Sequence, residues 1–249
     1  MSKHLVGIFF AGAVLHAQDA RQIVQESQNR NQSKSQRYEG TLEVVNAKSH
    51  IATKQWEYMR LGSYGNSKAM LRFTEPPEVK GVALLIHNHP DRSSDQWMWR
   101  PQIGRDQRVA LQDRSARFFG TDFSFEDLEE RDVDQFDHKL FGDDTIDGAA
   151  CWKIDSRPRQ SKTSQYVNLL LWVRKDNYVV AQVEGYNKSG LARRINYRDI
   201  QNVQSHWTPR RLEVLDTKTN SRTTLKIEKL EYDVKLSEND FTLQALRRL

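Results

Sequence analysis

The feature that most constrains the fold is a two-residue alternation of apolar and polar side chains, which first appears at 38–45 and returns along the chain. Successive side chains of a strand point to opposite faces of a sheet, so this period predicts strands that are buried on one face. Short stretches of Gly, Asn and Ser separate the first three segments, as is typical of an antiparallel meander. The predicted strands, about a dozen, are 38–45, 51–61, 68–73, 82–86, 96–100, 107–111, 149–155, 166–174, 179–186, 192–197, 211–215 and 223–230.

Helical periodicity is confined to short parts of the chain. Asp19 and Gln22 have the spacing of a capping box and predict an amphipathic helix through Ala20, Ile23, Val24 and Ser27. A second capping box predicts a short helix at 124–131, and a turn is predicted at 237–240. The fold class is therefore α+β but mainly β, with one large antiparallel sheet that is strongly curved or partly closed and has a few helices against it.

The first seventeen residues have the pattern of a cleaved export signal. Basic residues precede an apolar run at 5–15, which is too short to span a bilayer, since spanning takes roughly 20 apolar residues. Cleavage is expected after Ala17, and a buried N-terminal strand or helix is the alternative interpretation. No cysteine follows the run, so we expect the remaining single domain, 18–249, to be periplasmic and soluble without a lipid anchor.

The cysteine content and the charge exclude further classes of protein. The lone Cys151 cannot form an internal disulfide, and its position at the start of a predicted strand is typical of core packing. The net charge is only +5, with 38 basic and 33 acidic residues interspersed. This pattern gives no basic stripe for nucleic acid, but it allows a weak and transient attraction to anionic membrane surfaces.

Three polar clusters are candidates for chemistry, and none has the spacing of a catalytic centre. His87 and His89 would share one face of a strand and could hold a metal with nearby aspartates, but Pro90 favours an exposed loop. Segment 143–148 is acidic like a calcium loop, yet its spacing is wrong, and a turn is predicted there. The acidic cluster at 126–130 is interpreted as a solvated face. We therefore expect no catalytic residue, no metal and no cofactor.

Three ordered segments carry a resemblance to a known family. Segment 72–85 combines a strand, a Pro-Pro turn, a Lys-Gly pair and an apolar strand. Segment 95–101 has the sequence Asp-Gln-Trp-Met-Trp-Arg-Pro, and segment 118–127 the sequence Phe-Phe-Gly-Thr-Asp-Phe-Ser-Phe-Glu-Asp. Together they resemble the outer-membrane lipoprotein-sorting protein family, related to the LolA and LolB carriers, with one threonine in place of the family's serine.

The resemblance implies a fold and a kind of ligand. The implied fold is LolA-like, a half-open barrel with helices packed as a lid over an apolar interior for acyl chains, and the implied partner is an inner-membrane exporter of the resistance-nodulation-division (RND) type. Acyl chains suit such an interior because each buried methylene contributes about 0.8 kcal/mol without a directional partner. A filled core is the alternative. The expected cavity residues are Trp56, Tyr58, Leu71, Phe73, Leu84, Ile86, Trp97, Trp99, Phe119 and Phe123.

Basic residues near these segments have two interpretations. They could lie at the mouth of the cavity and bind a phosphate or carboxylate. Alternatively, two of the arginines could form ion pairs with two aspartates and fix the Phe-rich segment in place. The residues concerned are Arg72, Lys80, Arg105 and Arg108 for the cavity mouth, with Arg105 and Arg108 pairing with Asp122 and Asp127 in the alternative.

Three functional hypotheses follow. The leading one is a non-enzymatic periplasmic carrier or chaperone for a lipid or lipid-modified protein, which takes its ligand from one membrane and releases it to a partner. The second is a non-catalytic interaction module of an exporter or envelope complex, with a filled core. The third is a hydrolase that uses His87 and His89 with nearby carboxylates.

Overall fold

The structure, a computed structural model, describes residues 19–30 and 33–248. The export signal and the cleavage site predicted at 1–17 lie outside the described residues. Two α-helices are present in the described part, α1 (Ala20–Asn29) and α2 (Leu243–Leu246). Short 3-10 helices lie at Leu111–Asp113, Val133–Gln135 and Glu238–Phe241. The strands are β1 (Ser35–Val45), β2 (Ile51–Ser63), β3 (Asn66–Glu75), β4 (Ala83–His87), β5 (Asp95–Arg100), β6 (Arg105–Arg108), β7 (Phe136–Ile146), β8 (Ala149–Pro158), β9 (Asn168–Arg174), β10 (Val180–Asn187), β11 (Gly190–Val203), β12 (His206–Asp216) and β13 (Ser221–Tyr232).

These strands form one antiparallel sheet in the order β6-β5-β4-β3-β2-β1-β13-β12-β11-β10-β9-β8-β7. Each strand pairs with its neighbour along the chain, except that β1 pairs with β13 and that β6 and β7 are the two free edges. The sheet is curved and does not close. The prediction of a mainly β fold built on one large antiparallel sheet is therefore confirmed.

One face of the sheet is the inner face, because apolar side chains from distant strands meet there in a single cluster. Leu84 of β4 and Leu169 of β9 belong to this cluster, although many strands separate them in the sheet. Leu71 lies opposite Leu84, and Leu84 lies opposite Met98, so the inner face continues without interruption from β3 to β5. The predicted alternation of β1 to β3 is confirmed, since Leu42, Trp56 and the odd-numbered apolar residues of β3 are buried on this face.

The connection between β6 and β7 crosses the interior and carries a Phe-rich segment, defined here as residues 116–130. Phe118, Phe123 and Phe125 of this segment are buried in the inner-face cluster. The helix predicted at 124–131 is wrong, because the backbone pairs with itself: the Phe118 N–H donates to the Phe123 carbonyl at 2.8 Å, and the Phe125 N–H donates to the Ala116 carbonyl at 3.2 Å. The residues after Ser124 consequently form turns.

The helices cover opposite faces of the sheet. Helix α1 buries Ala20, Ile23 and Val24 against Ile154 of β8 and Val173 of β9 on the inner face. Helix α2 lies on the outer face, where its Leu246 joins a cluster with apolar side chains of β3, β4 and β5. Only α1 therefore occupies the place of the lid. None of the helices in the described part of the chain is long and apolar enough to cross a membrane.

The predicted caps have mixed outcomes. Asp19 is the N-cap residue of α1, but its side chain makes no capping hydrogen bond, so the capping box predicted there is wrong. Around the 3-10 helix at Glu238–Phe241 a capping box does form between Ser237 and Asp240, which confirms the predicted turn. Ser124 and Asp127 also form reciprocal capping hydrogen bonds. The Ser124 N–H donates to Asp127 Oδ2 at 2.9 Å, and the Asp127 N–H donates to Ser124 Oγ at 3.2 Å, although no helix follows.

Candidate ligand-binding cavities

A first cavity of about 200 Å³ lies between α1 and the inner face of the strands near the β7 edge. Alternate residues of β9 point into it, because the two-residue period of the strand sends Leu169, Leu171 and Val173 to the inner face. Val24 of α1 closes the opposite side. The apolar lining consists of Val24, Phe136, Leu169, Leu171, Val173, Val179, Val180, Val183, Tyr197 and Pro209.

Two polar side chains of the first cavity, His138 and Arg131, are held by other groups of the protein. His138 Nε2 is 3.0 Å from the Val133 carbonyl, which only accepts, so Nε2 carries the proton and Nδ1 accepts from the Ser156 hydroxyl at 2.8 Å. Burial lowers the pKa of His138, so the imidazole is neutral at pH 7. Arg131 pairs with Asp127 at 3.3 Å. The cavity thus has an apolar wall and a small number of fixed polar groups.

A second cavity of about 260 Å³ adjoins the first, and Arg30, Tyr197 and Pro209 line both. It is bounded by the inner face of β1 and β2 on one side and of β11 to β13 on the other. Its wall is rich in aromatic rings, and Tyr38 stacks on Tyr58 with ring centroids 4.8 Å apart. The aromatic lining consists of Tyr38, Trp56, Tyr58, Phe123, Tyr197, Trp207 and Tyr232.

The residues predicted for one cavity lie in three places. Trp56, Tyr58 and Phe123 line the second cavity. Five others belong to the same inner-face cluster, in the part of the interior that the Phe-rich segment fills, where the rings of Phe73 and Phe118 are 5.3 Å apart. These five are Leu71, Phe73, Leu84, Ile86 and Phe119.

The structure does not bring Trp97 and Trp99 together with the other predicted residues. Leu85 lies opposite Trp97 in the sheet register, and Leu85 is on the outer face. The two indoles therefore pack with Leu246 of α2 on the outside of the sheet. Strand period alone showed that Trp97 and Trp99 share a face, but which face depends on the pairing of β4 with β5.

Sequence reasoning missed the lining of the first cavity. The strands at 166–174 and 179–186 were predicted, yet no cavity residue was assigned to them. Their signal was present, since Leu169, Leu171 and Val173 alternate in β9. What could not be seen from the sequence is that the Phe-rich segment fills the interior beneath β3 and β4 and leaves the space beneath β9 and β10 open.

Comparison with known proteins places the chain in a family. A family model whose description reads "Uncharacterized protein" matches residues 65–248, well over half of the chain. The chain belongs to this family. A comparison with curated proteins found no significant match.

Solved structures related to this family member have the same fold. A domain described as an outer membrane lipoprotein-sorting protein, from Vibrio parahaemolyticus, is 24% identical with a TM-score of 0.87, covering 92% of this chain and 98% of that chain. A DUF1329 family protein from Desulfovibrio piger is 22% identical with a TM-score of 0.86, covering 91% and 97%. A LolA superfamily protein from Nitrosomonas europaea is 20% identical with a TM-score of 0.73, covering 92% and 100%. The fold is LolA-like, as the sequence resemblance implied.

The basic residues predicted for the mouth of the cavity instead contact other parts of the protein. Arg72 donates to the carbonyls of Ala245 and Leu246, at 3.0 Å and 3.1 Å, and so caps the end of α2. Lys80 lies 3.9 Å from Glu75 at the exposed turn after β3. Both residues are on the outer side of the sheet or at its rim, outside the two cavities.

The expected pairing of Arg105 and Arg108 with Asp122 and Asp127 is wrong. Arg108 pairs with Asp95 instead, and Arg105 is an exposed residue of the edge strand β6. The two aspartates do fix the Phe-rich segment, but with arginines inside or next to that segment and with side chains of β11 and β13, which the sequence alone could not identify. Asp122 pairs with Arg117 at 2.5 Å and accepts from Ser221 and Thr223, whereas Asp127 pairs with Arg131 and, at 2.9 Å, with Arg193.

The acidic cluster at 126–130 is buried, so its interpretation as a solvated face is wrong. Glu129 is held by Arg114 and Lys162, each at 2.7 Å, and Glu126 accepts from the Gln165 N–H at 2.9 Å. The side chain of Asp127 is 1% exposed. Burial raises the pKa of Glu126 and of Glu130. These carboxylates anchor the Phe-rich segment inside the sheet.

The two histidines considered for a metal site face different partners. His87 Nε2 is 3.0 Å from the Phe241 carbonyl, whereas His89 Nε2 is 3.0 Å from Asp95 Oδ2. Burial lowers the pKa of His87. No group of three or more His, Cys, Asp or Glu side chains in the described part of the chain is placed to hold a metal ion. Cys151 is buried on the outer face with Trp172 and Ala181.

Proposed function

We propose that the protein is a non-enzymatic carrier that binds an acyl chain of a lipid or lipid-modified protein in the two adjoining cavities. The observation that carries the proposal is the apolar inner face of β9 and β10, left open beneath α1. The name of one structural relative, the outer membrane lipoprotein-sorting protein domain, supports the same kind of ligand. Burial of an acyl chain would supply about 0.8 kcal/mol per methylene.

The size of the cavities limits what they hold as they stand. Cavities of about 200 Å³ and 260 Å³ are each below the roughly 300 to 1,000 Å³ of ligand pockets for drug-sized molecules. They suit part of one chain rather than several complete chains. A ligand with more than one acyl chain requires α1 to move away from β7 and β9, which α1 contacts over one face only. Binding and release would then depend on the position of α1.

The cellular setting is part of the proposal. We place the carrier in the periplasm, with transient contact at a membrane surface and an RND-type inner-membrane exporter as partner. The residue pattern at 1–17 and the family resemblance support this setting. Co-purification from cells with the exporter encoded nearest to the gene would test it, and a periplasmic fraction without the protein would contradict the location.

Two neighbouring leucines of β9 allow a matched test of the carrier function. Leu171 lines the first cavity, whereas Leu170 points to the outer face, and the two are similarly half-buried. Native mass spectrometry with lipid extraction should find a bound lipid or acylated peptide in wild-type protein and in Leu170→Arg. Leu171→Arg, which puts a charge into the apolar lining, should lose the ligand while retaining the β-sheet circular dichroism spectrum.

One observation favours the second function, an interaction module with a filled core. The Phe-rich segment already occupies the interior beneath β3 and β4, with Phe118 fully buried. If extraction of wild-type protein yields no ligand and apolar probes do not bind, the carrier proposal is wrong. The interaction module would then be the function to pursue through partner binding.

A further inference from the structure

Arg30 lies at the junction of the two cavities. It follows the last residue of α1 and lines both the first and the second cavity. Its Nη1 donates to the Trp207 carbonyl at the mouth of the second cavity. Its Nε is buried and has no hydrogen-bond partner. Part of this guanidinium therefore remains unsatisfied inside the protein.

Arg30 also lacks an acidic partner among the described residues. Burial lowers the pKa of Arg30, and the titratable groups that act on it are the phenols of Tyr232 and Tyr64, which burial keeps protonated and uncharged at pH 7. Asp132 lines the first cavity, but its Oδ1 accepts from the Asp134 N–H at 2.8 Å and it forms no ion pair with Arg30 in the described structure. A partly buried cation without a counter-ion is unfavourable, because burial removes water from the charge without replacing it.

Three other buried cations of the described chain have carboxylate partners. Arg114 and Lys162 share Glu129, both at 2.7 Å. Arg193 pairs with Asp127 at 2.9 Å and with Asp216 at 3.0 Å. Arg60 is also buried and has no ion pair within the described residues, but it donates to the carbonyls of Gly62 and Ser33 and to the Ser33 hydroxyl. In the same described part, Arg30, which lies where both cavities meet, has neither a carboxylate partner nor such a set of hydrogen bonds.

We propose that Arg30 binds the anionic group, a carboxylate or a phosphate, of an amphiphile whose apolar chain lies in the adjoining cavities. The inference rests on the proposed carrier function and specifies the class of ligand. A guanidinium offers two parallel N–H donors to such a group, and Nε with Nη2 is a free pair of this kind in Arg30. The apolar walls on either side then take the chain.

Other groups around the junction fit an anion with an apolar chain. The hydroxyls of Tyr64 and Tyr232 lie on the two sides of Arg30, one lining each cavity. The positive charge of Arg30 at the junction favours an anionic ligand over a cationic one.

The test compares three ligands of equal chain length by isothermal titration calorimetry: decanoate, decyl phosphate and the neutral decanol. Inorganic phosphate alone serves as the fourth ligand and separates an amphiphile site from a free-anion site. Hydrogen bonds to charged groups contribute about 1.5–3 kcal/mol, which corresponds to roughly ten- to a hundredfold in affinity. Wild-type protein should therefore bind decanoate or decyl phosphate at least about tenfold more tightly than decanol, and inorganic phosphate only weakly.

Two variants of α1 complete the test. Arg30→Gln should lose the preference for the anionic ligand and keep its affinity for decanol. Arg21→Gln is the matched control, because Arg21 is on the same helix but exposed, paired with Asp134 at 2.7 Å. Equal affinity of wild-type protein for decanol and both anions would overturn the inference and leave the carrier function standing. Failure of all three amphiphiles to bind would overturn both, and tight binding of inorganic phosphate alone would also overturn the inference.

Discussion

Gly40 of β1 lies directly opposite Trp56 of β2, and the indole occupies the space where a side chain at residue 40 would be. A Cβ at Gly40 would be 2.6 Å from Trp56 Nε1 and 2.7 Å from Leu225 Cδ1. The glycine is required here for the close approach of the ring and not for an unusual conformation of the strand. The aromatic wall of the second cavity therefore depends on the absence of one methyl group.

Replacement of this glycine should destabilise the protein. Gly40→Ala forces Trp56 and Leu225 to shift, and such overpacking costs about 1–3 kcal/mol. Urea denaturation should show a lower midpoint with an unchanged slope. Glu43→Ala, an exposed position of the same strand, is the control and should leave the midpoint almost unchanged. An unaltered midpoint for Gly40→Ala would mean that the ring moves freely.

Loss of one buried carboxylate should have a much larger effect than loss of an exposed one. Asp127→Asn removes the charge shared by Arg131 and Arg193, whose side chains are 18% and 6% exposed, and breaking a buried pair costs about 3–5 kcal/mol. Asp137→Asn, which removes an exposed partner of Arg159, should cost about 0–1 kcal/mol. Unfolding free energies from urea titration measure both, and equal effects would contradict the anchoring role.

The buried carboxyl of Glu130 predicts a pH dependence of stability. Burial raises its pKa above the ordinary value of 4.5, opposed by Arg60 and by hydrogen bonds from Gly65 and Ser67. The folded state therefore favours the protonated form, and the stabilising contribution is lost as the pH rises from 4.5 through the folded pKa. Below pH 4.5, Glu130→Gln should be no more stable than wild type. Its stability relative to wild type should then increase as the pH rises to 7.

The same experiment has an internal check. Hydrogen bonds from Arg92, Arg108 and His89 outweigh burial and hold the pKa of Asp95 well below its usual range. Its contribution is therefore lost at low pH in both proteins. The quantity to compare is the difference in unfolding free energy between wild type and Glu130→Gln at pH 4 and pH 7. A constant difference would show that Glu130 does not titrate as its burial requires.

Ligand binding should protect α1 from hydrogen exchange. The helix has one buried face and contacts β7, β9 and the 3-10 helix at Val133–Gln135, so its opening needs little loss of packing. Decanoate should slow exchange of the α1 amides by filling the space beneath Val24. Amides of β3 and β4, whose residues line neither cavity, serve as the control. Equal protection in both regions would indicate general stabilisation instead.

The strands could be predicted from the sequence where one of their faces is buried. The prediction failed where neither face is buried. β1 to β3 alternate and were predicted within a few residues. β7 was missed, because most of its residues from Phe136 to Ile146 are exposed at the sheet edge and have no apolar period. Segment 143–148 was predicted as a turn, but only its last two residues form one. β6 begins at Arg105 rather than at 107, since its short ladder to β5 needs no apolar pattern.

The candidate site was predictable only in part, because it depends on pairs that are distant in sequence. Trp56, Tyr58 and Phe123 line a cavity as expected from their faces and from the family resemblance. The burial of Glu129 could not be predicted, since its partners Arg114 and Lys162 come from loops on either side of the segment. A charged residue is predicted to be exposed to solvent unless the folded structure is known to place an oppositely charged residue beside it.

The strand order also governs how such a chain folds. β1 to β6 and β7 to β13 are each a run of hairpins between consecutive strands, whereas Gln36 of β1 pairs with Tyr232 of β13 near the other end of the described chain. Local pairings close small loops and form quickly, but a pairing between distant segments bears a large loop entropy. The two meanders can therefore form independently, and the pairing of β1 with β13, which joins them, sets the rate of folding.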